Sequence, residues 1–279
     1  MREQYVQHGL SLVELLIALA ISSFLILGIT QVYIDNKRNQ VFQASQVGNL
    51  ENSRFATLII DQYLAKAGYR RQPTALPEQT FAARSADSDC MAFAAGAPVT
   101  ALATSAGKGF CLRYLPQQTG ELDCQGQASS VSYTEAFPNV PSTNQIILAF
   151  KFEPNADPSK GRLMCKSLTA TNPQYNEILS GIADMRLEFG VGTSAATDKR
   201  ILNFKASEDW TPSDGIINGV RYQLLLTGGA KLRTGEDSAV LADWITAASA
   251  TTKGRLEKGD NGHIYQVAGS TQSLRNQMP

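Results

Sequence analysis

The chain has 279 residues and balances 25 Lys and Arg against 25 Asp and Glu, a formal net charge of zero. That balance argues against a nucleic-acid-binding domain, which presents a basic face. Hydrophobic residues at 43% and charged residues at 18% describe a folded chain and exclude an intrinsically disordered one.

The first predicted element is the apolar run Leu10 to Ile34, whose one charge is Glu14. A helix of roughly 20 apolar residues crosses a bilayer, and a helix satisfies its own backbone polar groups there. A carboxylate inside such a helix costs about 2.5 kcal/mol or more, so Glu14 calls for a partner and a purpose. Ala18-Leu19-Ala20 has the look of a signal-peptide cleavage site. The apolar core before it is short and holds Glu14, however, and the run continues well past it.

Beyond Asp35 the sequence turns amphipathic and meets no proline until Pro73. Val47, Leu50, Phe55, Leu58 and Ile59 recur at helical spacing, so the predicted helix continues to Lys66 with these residues facing a globular domain. Gly68 is its expected C-terminal cap. From Leu10 to Lys66 such a helix spans roughly 85 Å, far more than a bilayer.

Tyr69 to Ser88 reads as loop. Cys90 to Ala95 and Phe110 to Leu115 read as short strands around a small-residue loop, Gly96 to Gly109. Ile146 to Phe152 alternates apolar and other residues, and Leu163 to Lys166 reads as its returning strand. Met185 to Phe189 and Val220 to Leu226 alternate in the same way. Ala239 to Ala248 reads as a short helix, and Ile264 to Val267 as a last strand. Strands in runs, joined by turns and not alternating with helices, predict an antiparallel sheet. The expected fold class is α+β, one long N-terminal helix packed on an antiparallel β-sheet domain.

The four cysteines, Cys90, Cys111, Cys124 and Cys165, all follow the apolar run. In an oxidising compartment an even count predicts two disulfides. Spacing leaves all three pairings open. The preferred one is Cys90–Cys111, joining neighbouring short strands, with Cys124–Cys165 tying a loop to the strand that returns from Ile146.

No catalytic constellation is found. Outside the first nine residues there is one histidine, His263, read as a surface or edge-strand residue. Gly9-Leu-Ser-Leu-Val13 lacks the closing glycine of a nucleophile elbow. Asp87 with Asp89, Glu208 and Asp209 near Asp214, and Glu257 near Asp260 read as turn carboxylates bonded to their own backbone. Trp210 and Trp244 read as core or partly buried. The expectation is a chain that is not an enzyme and has no metal and no cofactor.

A short hydrophilic leader ending in Gly9, followed by Leu10-Ser-Leu-Val-Glu14-Leu15, resembles the type IV prepilins. The resemblance implies cleavage between Gly9 and Leu10 by a prepilin peptidase and methylation of the Leu10 amine. It implies that Glu14, fifth in the mature chain, meets the amine of a neighbouring subunit and sets axial register. Lys37 and Arg38 directly follow the apolar run, so charge alone does not place the C-terminal part outside; the leader motif does. Ala67-Gly-Tyr69, Met185 to Gly190, Val220 to Leu226 and Leu274-Arg-Asn276 look more narrowly like PilW-like minor pilins. This implies a subunit of the complex that initiates a type IV pilus at its tip, with other minor pilins, the major pilin and a large tip adhesin as partners. The alternatives are a J-type minor pseudopilin of a type II secretion system and a membrane-anchored binding protein. The expected division is a leader over 1–9, a transmembrane and polymerisation half-helix over 10–34, an amphipathic half-helix over 35–67 and a β-rich domain over 68–279. Before assembly the protein is expected in the inner membrane, with the domain in the periplasm; after assembly, in the pilus.

Overall fold

In the computed structural model, residues 11–72, 74–135, 137, 142–192, 200–233 and 237–277 are described. One helix, α1 (Leu12–Lys66), runs unbroken for 55 residues, about 82 Å at the helical rise. Nothing in its sequence stops it, since it holds no proline. It ends at Gly68, whose φ of 73° lies in the left-handed region that an L side chain avoids.

The strands divide into two antiparallel sheets where the sequence predicted one. The first has the order β1–β2–β3–β4–β5, from β1 (Val99–Ala101), β2 (Lys108–Tyr114), β3 (Ile146–Glu153), β4 (Arg162–Ser167) and β5 (Asn176–Ser180). The second has the order β7–β6–β8–β9, from β6 (Ile182–Val191), β7 (Asn203–Ala206), β8 (Ile217–Lys231) and β9 (His263–Ser273). The chain passes between the sheets at Gly181, where φ is +84° and an added Cβ would meet the Thr227 carbonyl at 3.1 Å. A residue with a side chain would block this crossing.

One apolar core joins α1 to both sheets through Ile60, Leu64, Phe110, Phe150, Met185, Phe189 and Leu224. The opposite faces are covered as well. Cys90, Phe93 and Leu102 pack on Cys111, Ile147 and Ala149 of the first sheet. On the second sheet, α3 (Ala239–Thr246) and α4 (Ala250–Gly259), both within the β8–β9 connection, place Leu241, Trp244 and Leu256 against Ala183, Leu225 and Tyr265. A single helical turn, α2 (Pro77–Thr80), lies before them in the chain.

The face that α1 gives to the domain is not the one expected. Asn49, Ser53, Ala56, Ile60 and Leu64 are buried, whereas Val47, Leu50, Phe55 and Leu58 are exposed and Ile59 is only half-buried. The reason is steric. The second sheet approaches the helix so closely that a Cβ on Gly228 would lie 2.9 Å from Ser45 Oγ and 3.4 Å from Asn49 Oδ1. Small and polar side chains fit there; leucine and phenylalanine do not. A second difference is Cys90 to Ala95, which forms only the isolated bridges Cys90↔Leu102 and Arg84↔Phe93. The short elements β1, β5, β7 and α4 had no periodic signal of their own.

Disulfides join Cys90 to Cys111 and Cys124 to Cys165. Both fall in the part of the chain that builds the first sheet. Between them sits Arg113 of β2, fully buried. Its guanidinium donates to the carbonyls of Ala97 and Ala82 at 2.7 Å and of Ala94 at 2.9 Å, and lies over the rings of Phe81 and Phe93. No carboxylate takes part in those contacts. Burial, with Arg84 nearby as the second cause, lowers its pKa to about 10. The fork of donors gathers residues 81–97, which have almost no ladder of their own, onto the back of the sheet.

Arg113→Met keeps the bulk but leaves several buried carbonyls without a donor. The expected loss is roughly 3 kcal/mol, read as a lowered thermal unfolding midpoint in detergent. Arg113→Lys should recover less than half of it, because an ammonium cannot reproduce the planar fork. A lysine variant as stable as the parent would show that charge alone suffices.

Candidate assembly interface

The candidate site is α1 itself. From Leu12 to Gln40 every residue of the helix is exposed, including Leu12 at 76% and Phe24 at 82%. This stretch is long and apolar enough to cross a membrane. Its serine and threonine hydroxyls need no outside partner: Ser22 donates to Ala18 O, Ser23 to Ala20 O and Thr30 to Ile26 O, all within 2.8 Å. In hydrocarbon an unpaired hydroxyl would be costly, so these bonds suit the helix to lipid or to close contact with other helices.

Glu14 lies in the first turn of α1. Its Oε2 accepts from the Ser11 N–H at 3.1 Å, so the carboxylate caps its own helix at the positive end of the dipole. Gly9 and Leu10, the expected cleavage pair, lie outside the described residues. Only the carboxylate half of the expected contact is therefore visible. Asp35, Lys37 and Arg38 follow where the apolar run stops, and their charges mark the boundary with water.

The second half of α1 is tied to the domain by polar contacts that periodicity does not reveal. Asn49 Nδ2 donates to Ile264 O at 3.1 Å. The Tyr222 hydroxyl donates to Asp61 Oδ1 at 2.8 Å. Asn276 Nδ2 donates to Ala65 O at 2.8 Å and Ala67 O at 3.0 Å, satisfying carbonyls that a helix end leaves open. Lys66 pairs with Glu121 at 2.7 Å. The one legible signal was a small-residue stripe, Ser45, Asn49, Ser53 and Ala56, which marks close packing as clearly as a leucine stripe marks a broad core.

The other sequence candidates have structural partners. His263 opens β9 but is buried at 1% exposure, with Nδ1 3.1 Å from Gly228 O and Nε2 3.7 Å from Asp157. β9 is an edge strand, as one of the two readings had it, and the surface alternative is corrected. Asp87 accepts from the Asp89 and Cys90 N–H groups. Asp89 pairs with Lys166, Glu208 with Lys108, Asp214 with Lys205 and Asp260 with Arg233. Trp210 and Trp244 are buried. Among the described residues no group of three His, Cys, Asp or Glu could hold a metal ion.

Residues 5–30 match the prokaryotic N-terminal methylation motif. No curated protein matches the sequence. Among solved structures, a type IV-like pilin from Thermus thermophilus aligns over 82% of this chain and 98% of its own, at 12% identity and a TM-score of 0.41.

Alkali should unfold the domain from about pH 10.0 upward, the ordinary tyrosine value. Burial first, and a carboxylate second, raises the phenols of Tyr222 (Asp61), Tyr114 (Glu121), Tyr175 (Asp89) and Tyr265 (Asp260). The folded state keeps protons that the unfolded state releases, so this stability is complete below pH 10.0 and is lost as pH rises. Arg113, lowered to about 10, acts in the opposite sense, as do Arg70 and Arg255, which burial also lowers. Tyrosinate absorbance and loss of ellipticity should rise together. Tyrosinate absorbance at pH 10 that Tyr222→Phe removes, with ellipticity unchanged, would show that this hydroxyl is not held.

Proposed function

We propose that this protein is a pilin-type assembly subunit, a minor pilin of a type IV pilus in the tip complex that primes assembly. The observation that carries the reading is Glu14. It is the one charge in the apolar stretch of α1 up to Ile34, which the domain leaves uncovered, and it lies within the matched methylation motif. The proposed course begins with cleavage between Gly9 and Leu10 in the inner membrane and methylation of the Leu10 amine. The proposed division is leader 1–9, lipid-facing half-helix 10–34, domain-facing half-helix 35–67 and domain 68–279. The domain is held in the periplasm, where disulfides are stable. The protein then moves from the membrane into a filament with other minor pilins, the major pilin and a tip adhesin.

The geometry supplies a mechanism for register. A new amine at Leu10 is cationic near neutral pH. In lipid a cation and a carboxylate are each costly alone and attract strongly together. In the free subunit Glu14 is held by the Ser11 N–H. A neighbour's ammonium carries a full charge where the amide N–H offers only a dipole, so an ion pair replaces an ion–dipole bond. Exposed Val47, Leu50 and Leu58 add a lateral apolar ridge on the side of α1 turned from its own sheet. Length and the narrower PilW-like sequence features support the minor-pilin reading over the major one. A J-type pseudopilin of type II secretion shares this layout and is the alternative.

Two measurements test this reading. Mass spectrometry of protein made beside its prepilin peptidase should show a methylated N-terminus at Leu10; an intact Met1 or a cut after Ala20 would overturn the processing. Glu14→Val removes a charge from the stretch proposed to lie in lipid, so processing and membrane insertion should be undiminished. Co-purification with other minor pilins, and the number of surface pili, should fall at least about tenfold, the effect of losing roughly 1.4 kcal/mol of pairing. Wild-type levels of both would mean that Glu14 does not steer assembly.

A further inference from the structure

The sequence holds two Asn-Gly pairs, Asn218-Gly219 and Asn261-Gly262, and the fold treats them differently. In such a pair a side-chain amide precedes a backbone nitrogen with no Cβ in the way. Where the chain is free to turn, that nitrogen reaches the amide carbon.

Asn218 lies in β8, an inner strand of the second sheet. It is 5% exposed, and its carbonyl accepts from the Leu274 N–H at 2.9 Å. Gly219 pairs with Gly190 of β6 on one side and Ser273 of β9 on the other. The ladders hold this peptide extended, so the side chain cannot fold onto the next nitrogen unless they open.

Asn261 lies in the turn Asp260 to Gly262, which leads from α4 into β9. It is exposed, with Nδ2 donating to Gly259 O at 3.2 Å. A lone exposed bond restrains a side chain weakly. The Gly262 carbonyl accepts from the Leu232 and Arg233 N–H groups at 2.9 and 3.0 Å, but the Gly262 N–H makes no hydrogen bond among the described residues. A Cβ on Gly262 would stand 2.6 Å from Arg233 O, and its φ is +82°. The turn thus requires the residue that leaves the attack unobstructed.

We propose that Asn261 is a site of spontaneous deamidation, which turns a neutral corner of the domain acidic. The Gly262 nitrogen gives up its proton and bonds to Asn261 Cγ. The Cγ–Nδ2 bond breaks, and the side-chain nitrogen leaves as ammonia with that proton. The product is a five-membered succinimide. Water then opens the ring at either carbonyl, giving aspartate or isoaspartate at 261. Nothing is oxidised or reduced. One negative charge is added to a formal net charge of zero, next in sequence to Asp260, which already pairs with Arg233. The isoaspartate product also lengthens the main chain by one carbon just before Gly262, so the Gly262 carbonyl loses its place at the Leu232 and Arg233 amides. This inference concerns the domain and is independent of the role of Glu14.

The test keeps the full chain in detergent, warm and at neutral pH, for days, and maps digested aliquots by mass spectrometry. Aspartyl and isoaspartyl products at 261, told apart by retention, should accumulate at least about tenfold faster than conversion at Asn218, whose ladders must open first. In urea the two sites should react at like rates, because the fold is what separates them. Asn261→Gln, with its longer side chain, should stop the reaction at 261 and leave the ellipticity unchanged. In the isoaspartate fraction, hydrogen exchange at Leu232 and Arg233 should be faster than in the parent. The proposal is overturned by equal rates at the two sites in the folded chain, by a difference that persists in urea, or by a gain of acid that survives Asn261→Gln. Unchanged exchange at Leu232 and Arg233 would overturn the coupling to β8.

Discussion

One unbroken helix has to satisfy two surroundings, and the rest of the molecule is arranged around that demand. The first half of α1 has no buried residue and bonds its serine and threonine hydroxyls back to its own backbone. The second half needs a domain, but it cannot take one on a broad leucine face without closing off the ridge that remains outside. The solution is a narrow stripe of small and polar residues against Gly228 and Gly181, locked by a few hydrogen bonds. Close approach replaces bulk. The helix thereby keeps Val47, Leu50 and Leu58 exposed while it is still held firmly.

The helix, its end near Lys66 and the class of the fold were legible because their signals are long and periodic. β3, β6 and β8 were legible for the same reason, since each holds a stretch of alternation, over Ile146 to Phe152, Met185 to Phe189 and Val220 to Leu226. The face of α1 was misread because periodicity ranks residues by apolarity, whereas the interface selects them by size. The division into two sheets was hidden because it depends on Gly181, one residue among 22 glycines. β7 is four residues long and β1 three, too short for any period to show. Arg113 was invisible for another reason. Its partners are backbone carbonyls, and no sequence pattern announces them.

At the candidate site the sequence located Glu14 through its spacing from Gly9, and no contact in the free chain would have singled it out. The structure adds the bond to Ser11, which makes the carboxylate useful before any neighbour arrives. Charges in apolar surroundings are tolerated where they fix a register, and a cap that can be exchanged for an ion pair suits the proposed subunit, first alone and then in an assembly.

The direction of the helix has a mechanical consequence. Asn49 meets Ile264 near the start of β9, and Ala65 meets Asn276 just past its end, so α1 and β9 run in the same sense. Tension drawn along the helix axis enters the domain along the length of β9 and pulls it lengthwise against β8. A ladder strained in that direction shares the force among all its hydrogen bonds at once, in place of opening them one by one from an end. The two disulfides stand off this line, in the first sheet, beyond the crossing at Gly181. Traction on the anchor is thus resisted by strands in shear, and the covalent staples protect a part of the fold that the pull does not reach first.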